Sequence, residues 1–122
     1  MKENSSPAHI VRWVNKNASL LKSTDTEDEL LQVMSRPQIA RLLSPRFVEY
    51  LREMMASAEL VHILEEINVC RDKKDNKFIE LSVNGRADAI ISGDQDLLAL
   101  NPFRGVPILS AADFLHFHDA RQ

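Results

Sequence analysis

Short apolar runs alternating with helix-start signals constrain this chain most. Ala18-Ser19-Leu20-Leu21-Lys22-Ser23, Leu60-Val61-His62-Ile63-Leu64, Asp88-Ala89-Ile90-Ile91-Ser92 and Val106-Pro107-Ile108-Leu109 are bounded by polar residues and too short for helices. Between them run amphipathic stretches with recognisable openings. Ser6-Pro7 and Ser44-Pro45 place proline where its missing N–H is harmless. The first stretch carries Ile10, Trp13, Val14 and Asn17 at helical spacing; the Ser44 stretch carries Phe47, Val48, Leu51, Met54, Met55 and Ala58. Thr24 and Glu27 have capping-box spacing, opening a helix that ends at Arg36-Pro37. Asp75 or Asn76 caps a helix bearing Phe78, Ile79, Leu81 and Val83, which Asn84-Gly85 stops in a left-handed cap. Asp96 caps a short helix through Leu97, Leu98 and Leu100, and Ser110 with Asp113 opens a terminal one. Strands alternating with helices predict an α/β fold: three layers, α/β/α, around a mainly parallel sheet.

At 122 residues and 44% hydrophobic, the chain has the size of a single domain, residues 1–122, with one core. A net charge of −3 gives no basic footprint of a tight nucleic-acid binder. Local cations remain available for that role: Arg36, Arg41, Arg46, Lys73, Lys74 and Arg104, each also readable as solvated surface. One cysteine, Cys70, forbids an intramolecular disulfide and reads as a small buried hydrophobe. No apolar run approaches the roughly 18 residues of a membrane span. Met1-Lys2-Glu3-Asn4-Ser5-Ser6 has no apolar signal core behind it. A cytoplasmic protein without membrane partners is the expectation.

The chemistry-bearing residues are acids. Asp75 stands at one loop-to-helix junction; Asp94 and Asp96 stand at another, just past the run ending at Ser92 with Gly93 supplying the turn. In open α/β sheets ligands bind beyond the carboxyl ends of the strands, where Asp94 is positioned. Capping and turn-making account for Asp75 and Asp96 singly, and less well for Asp94. They do not explain convergence of the acids, because like charges destabilise unless a cation or proton offsets them. Hard divalent cations, Mg²⁺ or Mn²⁺, suit such oxygen ligands. Glu29 is a further candidate, although acids are common in early helical turns. His116 and His118, two residues apart, point to different helix faces and read as a solvated end. No Gly-rich phosphate loop, nucleophile elbow or Cys/His pairing is present.

The run Cys70-Arg71-Asp72-Lys73-Lys74-Asp75-Asn76-Lys77-Phe78-Ile79-Glu80-Leu81, then Ala87-Asp88-Ala89-Ile90-Ile91-Ser92-Gly93-Asp94-Gln95-Asp96-Leu97-Leu98, then Pro107 through Leu115, closely resembles the PIN-domain family. The nearest branch holds toxin components of toxin–antitoxin systems, and Met34-Ser35-Arg36-Pro37 also fits it. The resemblance implies a Mg²⁺- or Mn²⁺-dependent endonuclease of single-stranded RNA, with acids at the carboxyl ends of a five-stranded parallel sheet. By position Glu29 matches the family's helix glutamate, Asp75 the acid opening the later helix and Asp94 the acid after the fourth strand. Asp96 matches the accessory acid, with Asp72 a flanking candidate. All four, Glu29, Asp75, Asp94 and Asp96, are thereby expected as metal ligands and catalytic residues.

One departure stands out. Such domains normally begin with a central strand ending in Asp-Thr-Asn, and this sequence contains no such triplet. The expectation is a domain truncated at its N-terminus, with a rearranged sheet stabilised as a homodimer. Cleavage is then weak or absent, the alternative being an inactive module that binds RNA or a protein antitoxin.

Overall fold

The computed structural model describes residues 6–119, with side chains for 8–117. The chain forms two compact units, residues 1–60 and 61–122. No helix among the described residues is long and apolar enough to cross a membrane.

In the first unit α1 (Ser6–Asn17) buries Ala8 and Ile10 and half-buries Trp13 and Val14. Asn17, predicted on the same stripe, is exposed and donates from Nδ2 to the Trp13 carbonyl. β1 (Leu21–Lys22) follows, then α2 (Thr24–Ser35). The N-cap of α2 is Ser23, not Thr24. Ser23 Oγ accepts from the Thr26 N–H at 3.2 Å, and Thr26 Oγ1 accepts from the Ser23 N–H at 2.9 Å. Both residues are buried, so this reciprocal pair satisfies backbone donors that water cannot reach. Glu27 is thereby released to hold Lys22 Nζ at 2.7 Å. Arg36 is extended before Pro37, ending α2 as predicted, and Pro37 opens one further turn, α3 (Pro37–Ala40). α4 (Pro45–Ala56) starts as read, with Ser44 Oγ accepting from the Phe47 N–H and Phe47 buried. β2 is Glu59–Leu60 and runs parallel to β1, pairing Leu21 with Glu59 and Lys22 with Leu60.

The strand expected over Leu60–Leu64 therefore lies earlier and is shorter. In the second unit residues 61–72 form no regular element, and α5 explains why. A 3-10 turn (Lys73–Asp75) leads into α5 (Asn76–Asn84), whose Asn76, Glu80 and Asn84 recur one turn apart. Asn84 Oδ1 accepts from the N–H groups of Leu64 and Glu65, both at 2.9 Å. Glu80 Oε2 accepts from the Ile67 N–H at 2.9 Å. Asn76 Oδ1 accepts from the N–H groups of Val69 at 3.1 Å and Cys70 at 2.8 Å. A helix face thus takes the donors that a neighbouring strand would have taken. Ile79, on the apolar face, is fully buried with Ile67, Cys70, Leu97 and Ile108.

α5 ends in a Schellman motif: the Ala87 N–H meets the Ser82 carbonyl at 2.9 Å and the Arg86 N–H meets that of Val83 at 3.3 Å. The left-handed residue is Arg86, with φ 53°, rather than Gly85, with φ −92°. β3 (Ile90–Ile91) and β4 (Ile108–Leu109) pair in parallel, and between them lies α6 (Gln95–Leu98), which stops short of Leu100. The outward N–H of Ile108 is accepted by Asn101 Oδ1 at 2.7 Å, which closes that edge of β4. A two-residue turn joins Phe103 to Val106, with Arg104 and Gly105 both at positive φ. α7 (Ala111–Asp119) starts with Ser110 Oγ accepting from the Asp113 N–H, as predicted. His116 is exposed on it, and the His118 side chain lies outside the described residues.

The strand pairing is parallel, as the alternation predicts. The single five-stranded sheet implied by the resemblance is not formed among the described residues; each unit holds one two-stranded pair.

Candidate metal centre

Two helix beginnings build the centre. At the first, Asp72 caps the 3-10 turn, its Oδ1 accepting from the Lys74 N–H at 3.0 Å. That turn rotates the chain so that Asp75 faces inward. Asp75 occupies the N-cap position of α5 yet makes no capping bond there. It is 9% exposed, and its Oδ2 has no hydrogen-bond partner. A buried, unpaired carboxylate oxygen is costly, and native proteins retain one chiefly for a reason.

At the second, β3 delivers the chain past Ser92, whose Oγ accepts from the Asp94 N–H at 3.0 Å and so shapes the turn. Gly93 does not have positive φ, and a Cβ there would meet nothing within 4 Å. The predicted glycine turn is therefore a serine turn. Asp94, not Asp96, caps α6: its Oδ1 accepts from the Asp96 N–H at 2.8 Å. Asp94 is exposed and Asp96 half-buried in the first turn, while the buried Leu97 anchors the helix beneath them.

The three acids converge, with one carboxylate oxygen from each of Asp75, Asp94 and Asp96 within 4.8 Å of the others. Burial, first, and then the charge of Asp94, push the Asp75 carboxyl above its ordinary value; the charge of Asp72, a hydrogen bond that protonated Asp75 shares with Asp94, and the charge of Asp96 add to the effect. Burial also raises the Cys70 thiol, as do the surrounding aspartates, Asp75 foremost. Cys70 is therefore an inert neighbour, buried as predicted. A divalent cation fits this donor set: three hard oxygen ligands, one buried without a partner, and repulsion a positive ion would reverse.

Glu29 is half-buried on α2 in the first unit, while the three aspartates share the second. Among the predicted cations, Lys73 and Lys74 are exposed on the 3-10 turn that carries Asp75. Arg104 lies over the Phe103 ring and pairs with Glu65 at 2.7 Å. Asn76 does more than the capping its position suggests, bonding Asn68, Val69 and Cys70. The signal is a polar stripe at 76, 80 and 84, alongside the apolar positions Ile79 and Val83 of the same helix.

A PIN-domain family model matches residues 1–96, a span that includes both helix starts and ends on Asp96. An uncharacterised protein of Methanocaldococcus jannaschii, MJ1680, is 36% identical over 55 residues, covering 45% of this chain. The matched segment spans 35% of that relative's length. No solved structure matches. With the family match covering most of its length, the chain belongs to the PIN-domain family.

Proposed function

We propose that this protein is a divalent-cation-dependent endoribonuclease of the PIN type. PIN domains have nuclease-like functions, commonly bind nucleic acids and generally use divalent metal ions. The observation that carries the reading is the buried, unpartnered Oδ2 of Asp75 beside Asp94 and Asp96. In this reading Asp75 and Asp94 hold the ion, Mg²⁺ or Mn²⁺, and Asp96 holds it or orients a water. Bound there, the ion would activate water toward a phosphodiester and offset developing negative charge. The chain's own part is to keep the Asp75 oxygen free of competing donors, and to lock Asp94 through its cap bond.

We further propose single-stranded RNA as substrate, a protein antitoxin as partner, a homodimer as the assembled form, and residues 1–122 as one functional domain. A fluorophore-quencher RNA incubated with Mn²⁺ tests the reading: slow cleavage abolished by Asp94→Asn supports it. Cleavage that persists in Asp94→Asn, or in chelator, contradicts it.

A second reading is the inactive one. The protein is then a silent module that binds RNA or an antitoxin, and it takes up no Mn²⁺ at millimolar concentration.

A further inference from the structure

We infer that Asn76 is the positioning residue of the acidic centre, holding the Asp72–Asp75 turn against the repulsion among its carboxylates; this rests on the metal-binding reading above. Asn76 directly follows Asp75 and makes three bonds to the segment entering the turn. Its Oδ1 accepts from the Val69 and Cys70 N–H groups at 3.1 and 2.8 Å, and its Nδ2 donates to Asn68 Oδ1 at 2.9 Å. Cys70 is packed in the core with Ile67 and Ile79, so the clamp ties the chain's last fixed point before the turn to the first residue after it. Between the two clamped ends lie five residues, Arg71 through Asp75, held internally by the Asp72 cap bond and the Asp75 N–H to Asp72 carbonyl bond at 3.0 Å. Without the clamp, a short turn carrying two carboxylates would be free to swing Asp75 out to water and relieve the repulsion. With it, Asp75 stays buried with its Oδ2 lacking a hydrogen-bond partner, and one oxygen of each of Asp75, Asp94 and Asp96 lies within 4.8 Å of the others.

The other end of α5 provides an internal control. Asn84 makes the same kind of clamp, accepting from the Leu64 and Glu65 N–H groups at 2.9 Å and donating to the Glu65 carbonyl. It lies two turns from the acids on the same helix. A purely structural role predicts equal consequences for the two asparagines; a positioning role does not.

The experiment measures Mn²⁺ affinity of the full chain by electron paramagnetic resonance of free Mn²⁺, alongside thermal unfolding and iodoacetamide labelling of Cys70. Asn76→Ala is expected to weaken Mn²⁺ binding by roughly 10–100-fold, as loss of an orienting partner does, and to speed labelling of Cys70. Asn84→Ala is expected to lower the unfolding temperature comparably while leaving affinity within about twofold, because distant sites act independently. Asn76→Asp keeps an oxygen that accepts both N–H bonds and is expected to retain wild-type affinity or exceed it. It also carries the test if Asn76→Ala does not fold. Unchanged affinity in Asn76→Ala, an equal loss in Asn84→Ala, or a tenfold or greater loss in Asn76→Asp (the lower end of the range above) overturns the inference alone. Absence of Mn²⁺ binding by the wild type overturns the metal reading on which it rests.

Discussion

The beginnings of α5 and α6 are built from the same residue in the same position, and they differ in what the aspartate does. At α6, Asp94 is exposed and spends one oxygen capping the helix. At α5, Asp75 is buried, caps nothing and leaves an oxygen without a partner. The intervening cause is the 3-10 turn, which Asp72 caps in its place. An aspartate serving local structure and one held at a cost to it can therefore share a sequence context. Burial and bonding tell them apart.

That contrast can be broken in several ways. The largest effect concerns the ion: Asp75→Asn is expected to weaken Mn²⁺ binding by about 100-fold or more, at or beyond the upper end for orienting partners. Calorimetric titration checks it, and a loss of only a few-fold would place the ion elsewhere. The next effect has the opposite sign to intuition. In chelator at neutral pH, Asp75→Asn is expected to stabilise the fold by on the order of 1–2 kcal/mol, since it removes a buried charge that no partner offsets. Asp94→Ala should destabilise by about 1 kcal/mol through loss of the cap. Urea unfolding of both variants reads the two signs together.

The pH dependence sharpens the same point. Asp75 holds its proton more tightly folded than unfolded. Its favourable contribution is complete below the unfolded carboxyl value of about 3.9 and is lost as pH rises through the raised folded value. The stability gap between Asp75→Asn and wild type should therefore widen with rising pH in chelator and narrow when Mn²⁺ is added. Urea melts between pH 3.5 and 7 check this, and a gap independent of pH would contradict it. The smallest effect lies at the far end of α5. Arg86→Gly relieves a left-handed residue at φ 53° and should stabilise by about 0.5–1 kcal/mol, without altering Mn²⁺ affinity.

Much of this was legible in local sequence. Ser44 with Phe47 and Ser110 with Asp113 act through bonds spanning three residues, and Pro37 restricts the residue directly before it, so their spacing announces them. The misreadings share a different physics. Thr24 with Glu27 matches the capping box, yet Ser23 with Thr26 caps, because burial of both hydroxyls favours the reciprocal pair and Lys22 claims Glu27. Leu60–Leu64 looks like a strand, but Asn84 takes the Leu64 N–H from twenty residues away. No local pattern reveals such a partner. Asp75, Asp94 and Asp96 were readable as a group, whereas the division of labour among them was not: Asp94 rather than Asp96 caps, and Asp75 rather than Asp94 is the acid unexplained by local structure.

The most direct test of the central claim is calorimetric titration of the full chain with Mn²⁺ at neutral pH, repeated with Asp75→Asn. Saturable binding by the wild type, accompanied by a rise in unfolding temperature, is expected, with loss of both in the variant. Wild-type protein that takes up no Mn²⁺ at millimolar concentration, or a variant that binds as the wild type does, would contradict it.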